Sequence, residues 1–363
     1  MKIHLVINVH DFYMNYFLKT IIGLFISASF LVVFFYTAGF QEVMNSLLSA
    51  KLIYLIPAIF LYFISLYIRT LRWQYILKTI INIKTGVLFK SIVIGYATNN
   101  ILPVRLGELI RLYYVSKITQ ISKSTILGTI ITERIMDAMT LVAYIAIILS
   151  VFISLNLIQL ETLFSIENLI VSAMLIGSIS ILIIFSILIW LAKEPSIVEN
   201  LLNQLFSKIS EVKKNKIIQT YNFFIIGLLV LKQFSQLVNM FSLSVLIWLF
   251  ECFLAYILIL SFGVEHFNNN SVVLFFIIIL VVSVANLATT IPLTQGGIGP
   301  FELGGSLTLI MFGIDAAYAG AFMILLHALL LIPVTALGLL FIFIGDESFF
   351  EVMKNSSKLD KHE

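Results

Sequence analysis

The chain has 363 residues, 60% of them hydrophobic and 11% charged, and a formal net charge of +3, whereas an average soluble chain is about 25% charged. That composition excludes a soluble globular protein of this size. The single cysteine, Cys252, excludes an internal disulfide.

A helix that spans a membrane needs about 20 apolar residues, because lipid offers backbone N–H and C=O groups no partner outside the helix. Residues 1–19 hold His4, His10 and Asp11 and no small-residue cleavage site, so the first span is expected to be a retained anchor. Residues 20–40 carry no charge, and 52–68 form a shorter charge-free run closed by Arg69, Arg72 and Trp73. Cations and Trp at a span's end predict an anchor at the head-group level. Further spans are expected at 138–160 and 168–192, separated by an acidic loop around Glu161 and Glu167. From 234 to 345 the chain is again apolar, interrupted outside its tyrosines and Cys252 only by Glu251, Glu265, His266, Glu302, Asp315 and His327.

Lys and Arg in short loops mark the cytoplasmic side. Arg69, Arg72, Lys78, Lys84 and Lys90 follow the second span, and Lys193, Lys208, Lys213, Lys214 and Lys216 follow the fourth, so both connections are expected to be cytoplasmic. No Lys or Arg lies between Lys232 and Lys354, which places the 263–270 loop outside and the lysine-containing tail inside. The expected protein is a multi-pass resident of the cell membrane.

No linker separates an appended soluble domain, so residues 1–363 read as one membrane domain. Its polar interval 193–216, expected as a cytoplasmic loop, divides a first half, 1–192, from a second, 217–363. Each half contains a Pro/Gly-broken segment, near 91–112 and near 285–312. The first reads Asn99-Asn100-Ile101-Leu102-Pro103-Val104-Arg105-Leu106-Gly107-Glu108. The second reads Thr289-Thr290-Ile291-Pro292-Leu293-Thr294-Gln295-Gly296-Gly297-Ile298-Gly299-Pro300-Phe301-Glu302. Proline removes a backbone donor and glycine permits unusual dihedrals, so helix, break, helix follows in both. One reading is a pair of surface loops between ordinary spans. The other is a pair of re-entrant hairpins, which keeps Lys90 and Lys117 on one side and brings a last span at 316–344 to the lysine-containing tail. The expected fold class is all-α and polytopic, with about six to eight transmembrane helices and two re-entrant hairpins as candidate inverted repeats.

Arg105, Glu108 and Arg111 fall at i, i+3 and i+6, one charged face of a helix. Arginine's planar fork suits a lipid phosphate, and Glu108 could orient it or accept an amine or a proton. The competing reading is a snorkelling helix end whose charges satisfy one another; the Asn99-Asn100 approach favours function. Glu133, Arg134 and Asp137 begin the third expected span, where acids either complement a helix start or serve a site. Glu251 and Glu302 lie in a stretch without Lys or Arg, so their partners must be protons, waters, a substrate amine or arginines of the first half. Glu251 could equally be a protonated carboxyl bonded within its span. Glu302, Arg105 and Glu108 are expected to face one cavity near the midplane. His327 reads as a hydrogen-bonded interior histidine. Gly296, Gly297 and Gly299 resemble a phosphate loop only loosely, without its Lys-Ser/Thr ending, which argues against a nucleotide or nucleic-acid ligand, and no residue spacing suggests a metal or other cofactor.

These same residues carry a family resemblance. The runs Asn100-Ile101-Leu102-Pro103-Val104-Arg105-Leu106-Gly107-Glu108, Glu133-Arg134-Ile135-Met136-Asp137 and Gly296-Gly297-Ile298-Gly299-Pro300-Phe301-Glu302 resemble the lysylphosphatidylglycerol synthase transmembrane-region, or flippase-like domain, family. The likeness covers roughly the whole chain. It implies a membrane domain that moves lipids between leaflets and is not itself an enzyme, with membrane lipids and a separate lipid-modifying enzyme as partners. Arg105, Arg111 and Arg134 would hold phosphate, while Glu108, Glu133, Asp137 and Glu302 would manage protons or a cationic head group. Two departures stand out: Gln295 where the family usually has Pro, and His327 where it usually has Arg. A membrane-embedded transferase acting on a lipid phosphate and a non-catalytic scaffold are the alternative readings.

Overall fold

The computed structural model describes residues 9–102, 106–155, 194–206, 210–263, 270–290 and 294–344, with Ile183, Ser186, Ile187, Trp190 and Lys193. Twelve α-helices lie among the described residues: α1 Val9–Ala38, α2 Phe40–Ser49, α3 Leu55–Leu77, α4 Thr85–Ile101, α5 Leu106–Thr119, α6 Lys123–Ser154, α7 Pro195–Leu205, α8 Glu211–Gly227, α9 Phe234–Ile259, α10 Ser271–Ala288, α11 Pro300–Met311 and α12 Ala316–Ile344. Among them, six are long and apolar enough to cross a membrane, and no strand occurs among the described residues. The chain is an all-α, multi-pass membrane protein. The span expected at 168–192 and the residues Pro103, Val104, Arg105, Ile291, Pro292 and Leu293 lie outside the described residues.

Polar residues open several of these helices. Ser122 Oγ accepts the Thr125 N–H at the start of α6, Asn270 Oδ1 accepts two N–H groups of α10, and Asp315 Oδ1 accepts the Ala317 N–H of α12. Helix α6 therefore begins well before the expected apolar run. Glu133 and Asp137 lie about 15 and 21 Å along it, at membrane depth rather than at a helix start. The interval expected as a polar loop is largely helix, holding α7 and the first turns of α8.

The first broken segment is a hairpin of α4 and α5, longer than the expected 91–112. Its helices approach through glycine: a Cβ on Gly107 would lie 1.9 Å from the Gly95 carbonyl oxygen. Asn99 sits inside α4 and closes the hairpin, its Oδ1 accepting the Gly107 N–H at 2.6 Å and its Nδ2 donating to Glu108 at 3.1 Å. The second broken segment joins α10 to α11 through a turn in which Gly296, Gly297 and Gly299 have φ of 57°, 82° and 99°. Pro300 then occupies the first turn of α11, and Glu302 accepts the Gly299 N–H at 2.7 Å.

Contacts along α12 fix how the hairpins face. Phe341 meets Phe89, Gly338 packs on Ala97, and Thr335 accepts from Asn100, so α4 runs antiparallel to α12. Met323 packs on Gly305 and His327 meets Glu302, so α11 is antiparallel to α12 from the opposite end. The hairpins enter from opposite ends and touch at their tips, where the Gly296 N–H donates to the Asn99 carbonyl at 3.2 Å. Pro333 interrupts the hydrogen-bond ladder of α12 at this level.

Helix α3 ends beside the start of α9, where Asn239 bonds Tyr75, and starts beside its end, where the Lys51 N–H donates to Ser261. The order helix, hairpin, helix thus occurs twice, as α3 to α6 and as α9 to α12, in opposite directions. Lys78, Lys84, Lys117, Lys123 and Lys232 lie in the turns and helix ends at one end of the bundle, with Lys51 at the other.

Because the Gly107 contact is with backbone, Gly107→Val forces the hairpin open and is expected to cost about 1–3 kcal/mol. Gly86→Ala, with nothing within 4 Å of the added Cβ, is expected to be neutral or stabilising by up to about 1 kcal/mol. Thermal unfolding in detergent compares the two.

Candidate functional site

Where the hairpin tips meet, the structure forms a partly open cavity of about 200 Å³. The first hairpin supplies Tyr96, Asn99, Asn100 and Glu108 to its wall, and the second supplies Asn286, Thr289, Thr294, Gly296, Gly297 and Phe301. Tyr62 and Arg69 reach it from α3, Arg134 from α6, Trp248 and Glu251 from α9, and His327 from α12. Irregular backbone at membrane depth is tolerated where it lines such a cavity.

Arg134 is the most accessible of the cavity's cations, its side chain 36% exposed. Its Nε stands 3.7 Å from Glu108 Oε1, an ion pair without a hydrogen bond, and its guanidinium lies 5.8 Å from the centre of the Tyr96 ring. The Glu108 side chain is 18% exposed, and its other oxygen is held by Asn99. The pair is loose on the side that faces the cavity.

Elsewhere on that wall and behind it the charges are tightly paired. Arg69 donates to Glu251 at 2.5 Å and to Asp137 at 3.4 Å, with its guanidinium 4.8 Å from the Trp248 ring centre. Arg72 reaches both oxygens of Asp137, at 2.6 and 3.0 Å, and donates to Ser244 at 2.6 Å. Trp248 Nε1 donates to the same carboxylate at 3.1 Å. Arg111 donates to Glu133 at 2.7 Å and lies over the Trp73 ring at 4.1 Å. Three arginines and three carboxylates thus form one buried, formally neutral network across α3, α5, α6 and α9. Burying an ion costs several kcal/mol, which only close pairing and further hydrogen bonds offset.

This network corrects several expectations. Arg69, Arg72 and Trp73 are interior, not a head-group anchor, because α3 packs along α9 and α6 and each group meets a partner there. Arg111 does not share the Glu108 face of the cavity; the turn of α5 carries it to Glu133, where it is 2% exposed. Glu133 faces Arg111 of α5 and Asp137 faces α3, neither of them the cavity, leaving Arg134 as the α6 residue on the wall. Glu251 does find an arginine of the first half, Arg69, with Ser65 as a second donor at 3.3 Å.

Glu302 lies behind the cavity wall, bonded to His327 Nδ1 at 2.5 Å, while His327 Nε2 faces the Gly296 carbonyl at 3.0 Å. Gly296 and Gly297 line the cavity, and Gly299 turns instead toward Ser27 and Phe30 of α1. Asn99 and Asn100 line it as well; Arg105 lies outside the described residues. Sequence reasoning passed over Tyr62, Tyr96, Trp248 and Arg69 as wall residues. The available signal was the i, i+3 spacing of Trp248 and Glu251 and the need of Glu251 for a cation.

A sequence model described as the lysylphosphatidylglycerol synthase TM region matches residues 20–338. The chain is 24% identical over 275 residues to a UPF0104 membrane protein of Methanothermobacter thermautotrophicus, covering 73% of this chain and 77% of that one. It is 23% identical over 312 residues to a UPF0104 membrane protein of Pyrococcus horikoshii, covering 83% and 90%.

Removing one partner of the network leaves a buried charge uncompensated, so Glu251→Gln is expected to destabilise by about 3–5 kcal/mol. The double change Arg69→Met with Glu251→Met should cost less than the sum of the two single changes. Unfolding midpoints of the four proteins measure this; additive losses would mean that the pair is not coupled.

Proposed function

The chain belongs to the lysylphosphatidylglycerol synthase TM region family, and from that membership and its cavity we propose that it is a flippase-like transporter moving a phospholipid or lipid-linked head group between the leaflets of the cell membrane. The observation that carries this reading is the meeting of two opposed broken hairpins at one polar cavity. Paired broken helices of inverted topology are the arrangement by which transporters expose a midplane site first to one side and then to the other. The cavity has the size of a head group, not of a whole lipid; the acyl chains would stay in the bilayer.

Arg134 supplies the phosphate contact. A planar guanidinium takes two phosphate oxygens in parallel, and here it need give up only a 3.7 Å ion pair with Glu108 to do so. Glu108, still held by Asn99, is then free on its other oxygen for an amine or hydroxyl of the head group. The remaining carboxylate on the wall, Glu251, is committed to Arg69. Both wall carboxylates then have assigned partners, Glu251 its arginine and Glu108 Asn99 and the head group, which supports reading the cavity as a binding site; a separate enzyme would make the head group.

Proteoliposomes carrying head-group-labelled phospholipid test the reading. Wild-type protein should exchange label between leaflets, and Arg134→Ala should slow exchange about tenfold or more, the loss of charge-assisted hydrogen bonds. Product formation without exchange would identify a transferase, and neither activity would identify a scaffold.

A further inference from the structure

The pairing of Glu302 with His327 has a requirement of its own. The Gly296 carbonyl can only accept, so His327 Nε2 carries a hydrogen. The other ring nitrogen, Nδ1, faces Glu302 Oε1 at 2.5 Å, and the second oxygen of that carboxyl is occupied by the Gly299 N–H. A neutral imidazole with its hydrogen on Nε2 would point a lone pair at a carboxylate across that distance. Both ring contacts are hydrogen bonds together only when one further proton lies between the two groups, as imidazolium with carboxylate or imidazole with carboxylic acid. The ring cannot turn aside easily, since Phe301 stacks on it at 4.3 Å.

The geometry points to a proton-binding site made by Glu302 and His327, whose occupancy decides whether the tip of the second hairpin stays joined to the first. Without the proton, Nδ1 and Oε1 repel, and separating them strains two bonds of the same turn, His327 Nε2 to the Gly296 carbonyl and Gly299 N–H to Glu302. Gly296 is also the residue whose N–H holds the Asn99 carbonyl of the opposite tip. Three consecutive links thus connect a proton to the contact that closes the cavity. The positive-φ glycines of the turn give it the freedom to rearrange.

Other ionisable groups around the cavity do not replace this one. Arg69 of α3 is paired with Glu251 of α9, and Arg134 of α6 with Glu108 of α5. Tyr62 of α3 and Tyr96 of α4 also face it, while α10 contributes Asn286 and Thr289 and the described α1 neighbours of the turn are Ser27 and Phe30, none of which carries a charge. The link from proton to lipid movement rests on the transport reading above; the proton site does not.

Glu302→Gln separates protonation from folding. Its amide oxygen can accept from Gly299, and its NH2 can donate to Nδ1 of a neutral His327, so both bonds persist without a shared proton. In a Cys252→Ala background, spin labels at Ile101→Cys and Gln295→Cys report the tip separation in phosphatidylglycerol-containing vesicles by pulsed electron resonance. The site predicts one short distance at about pH 5 and, at about pH 9, an approximately fivefold greater population of a longer one, the change set by loss of a hydrogen bond. Glu302→Gln and, independently, His327→Gln should give distributions that do not change with pH. A pH-independent distribution in the otherwise wild-type chain, or a pH response retained in either variant, overturns the proposal. If the response is present but no lipid exchanges, the proton site stands and the transport reading falls; if lipid exchanges and the tips ignore pH, the reverse holds.

Discussion

Six buried charges with no lipid to solvate them dictate much of how this bundle is put together. Arg69, Arg72 and Arg111 can lie at membrane depth only beside Glu133, Asp137 and Glu251. Meeting that condition draws α3 against α6 and α9 at once. Asp137 is the hub, accepting from Arg69, Arg72 and Trp248, so a single α6 carboxylate ties the first half of the chain to the second. In a membrane interior, where apolar contacts between helices gain little over contacts with lipid, such a requirement specifies neighbours better than hydrophobicity does.

Close backbone approach supplies the rest. Gly95 and Gly107 bring α4 onto α5, Gly128 and Gly227 bring α6 onto α8, and Gly338 receives Ala97 of α4. Each is a place where a side chain would separate helices whose packing depends on dispersion contacts. Among the described residues, the hairpin tips meet through the backbone hydrogen bond between Gly296 and Asn99, while Asn100 and Gly296 are each also bonded to α12.

Most spans among the described residues and the two breaks could be read from sequence because lipid imposes a length and forbids charge, and because Pro and Gly interrupt a helix for local reasons. The start of α6 could not. Thr129 and Thr132 look polar but donate to carbonyls of their own helix, at Ile126 and Gly128, and so cost the span little. Counting the third span only from beyond Asp137 made Glu133 and Asp137 look terminal. Arg69 and Arg72 were ambiguous for a related reason: a cation closing an apolar run suits an interface as well as an interior, and only α9 packed alongside decides. The partner of Glu302 was still harder to see, since His327 comes within reach only after α11 folds back on α12.

The cavity's charges divide by how firmly they are held. Arg69 is fixed by Glu251 and Asp137, so its field is part of the wall and identical whatever enters. Arg134 is fixed by nothing comparable: its contact with Glu108 is an ion pair at 3.7 Å without a hydrogen bond. Across the cavity, His327 is held between the Glu302 carboxyl and the Gly296 carbonyl. With both ring nitrogens engaged, His327 belongs with Arg69 among the held groups, and Arg134 is the cavity's loosely held cation.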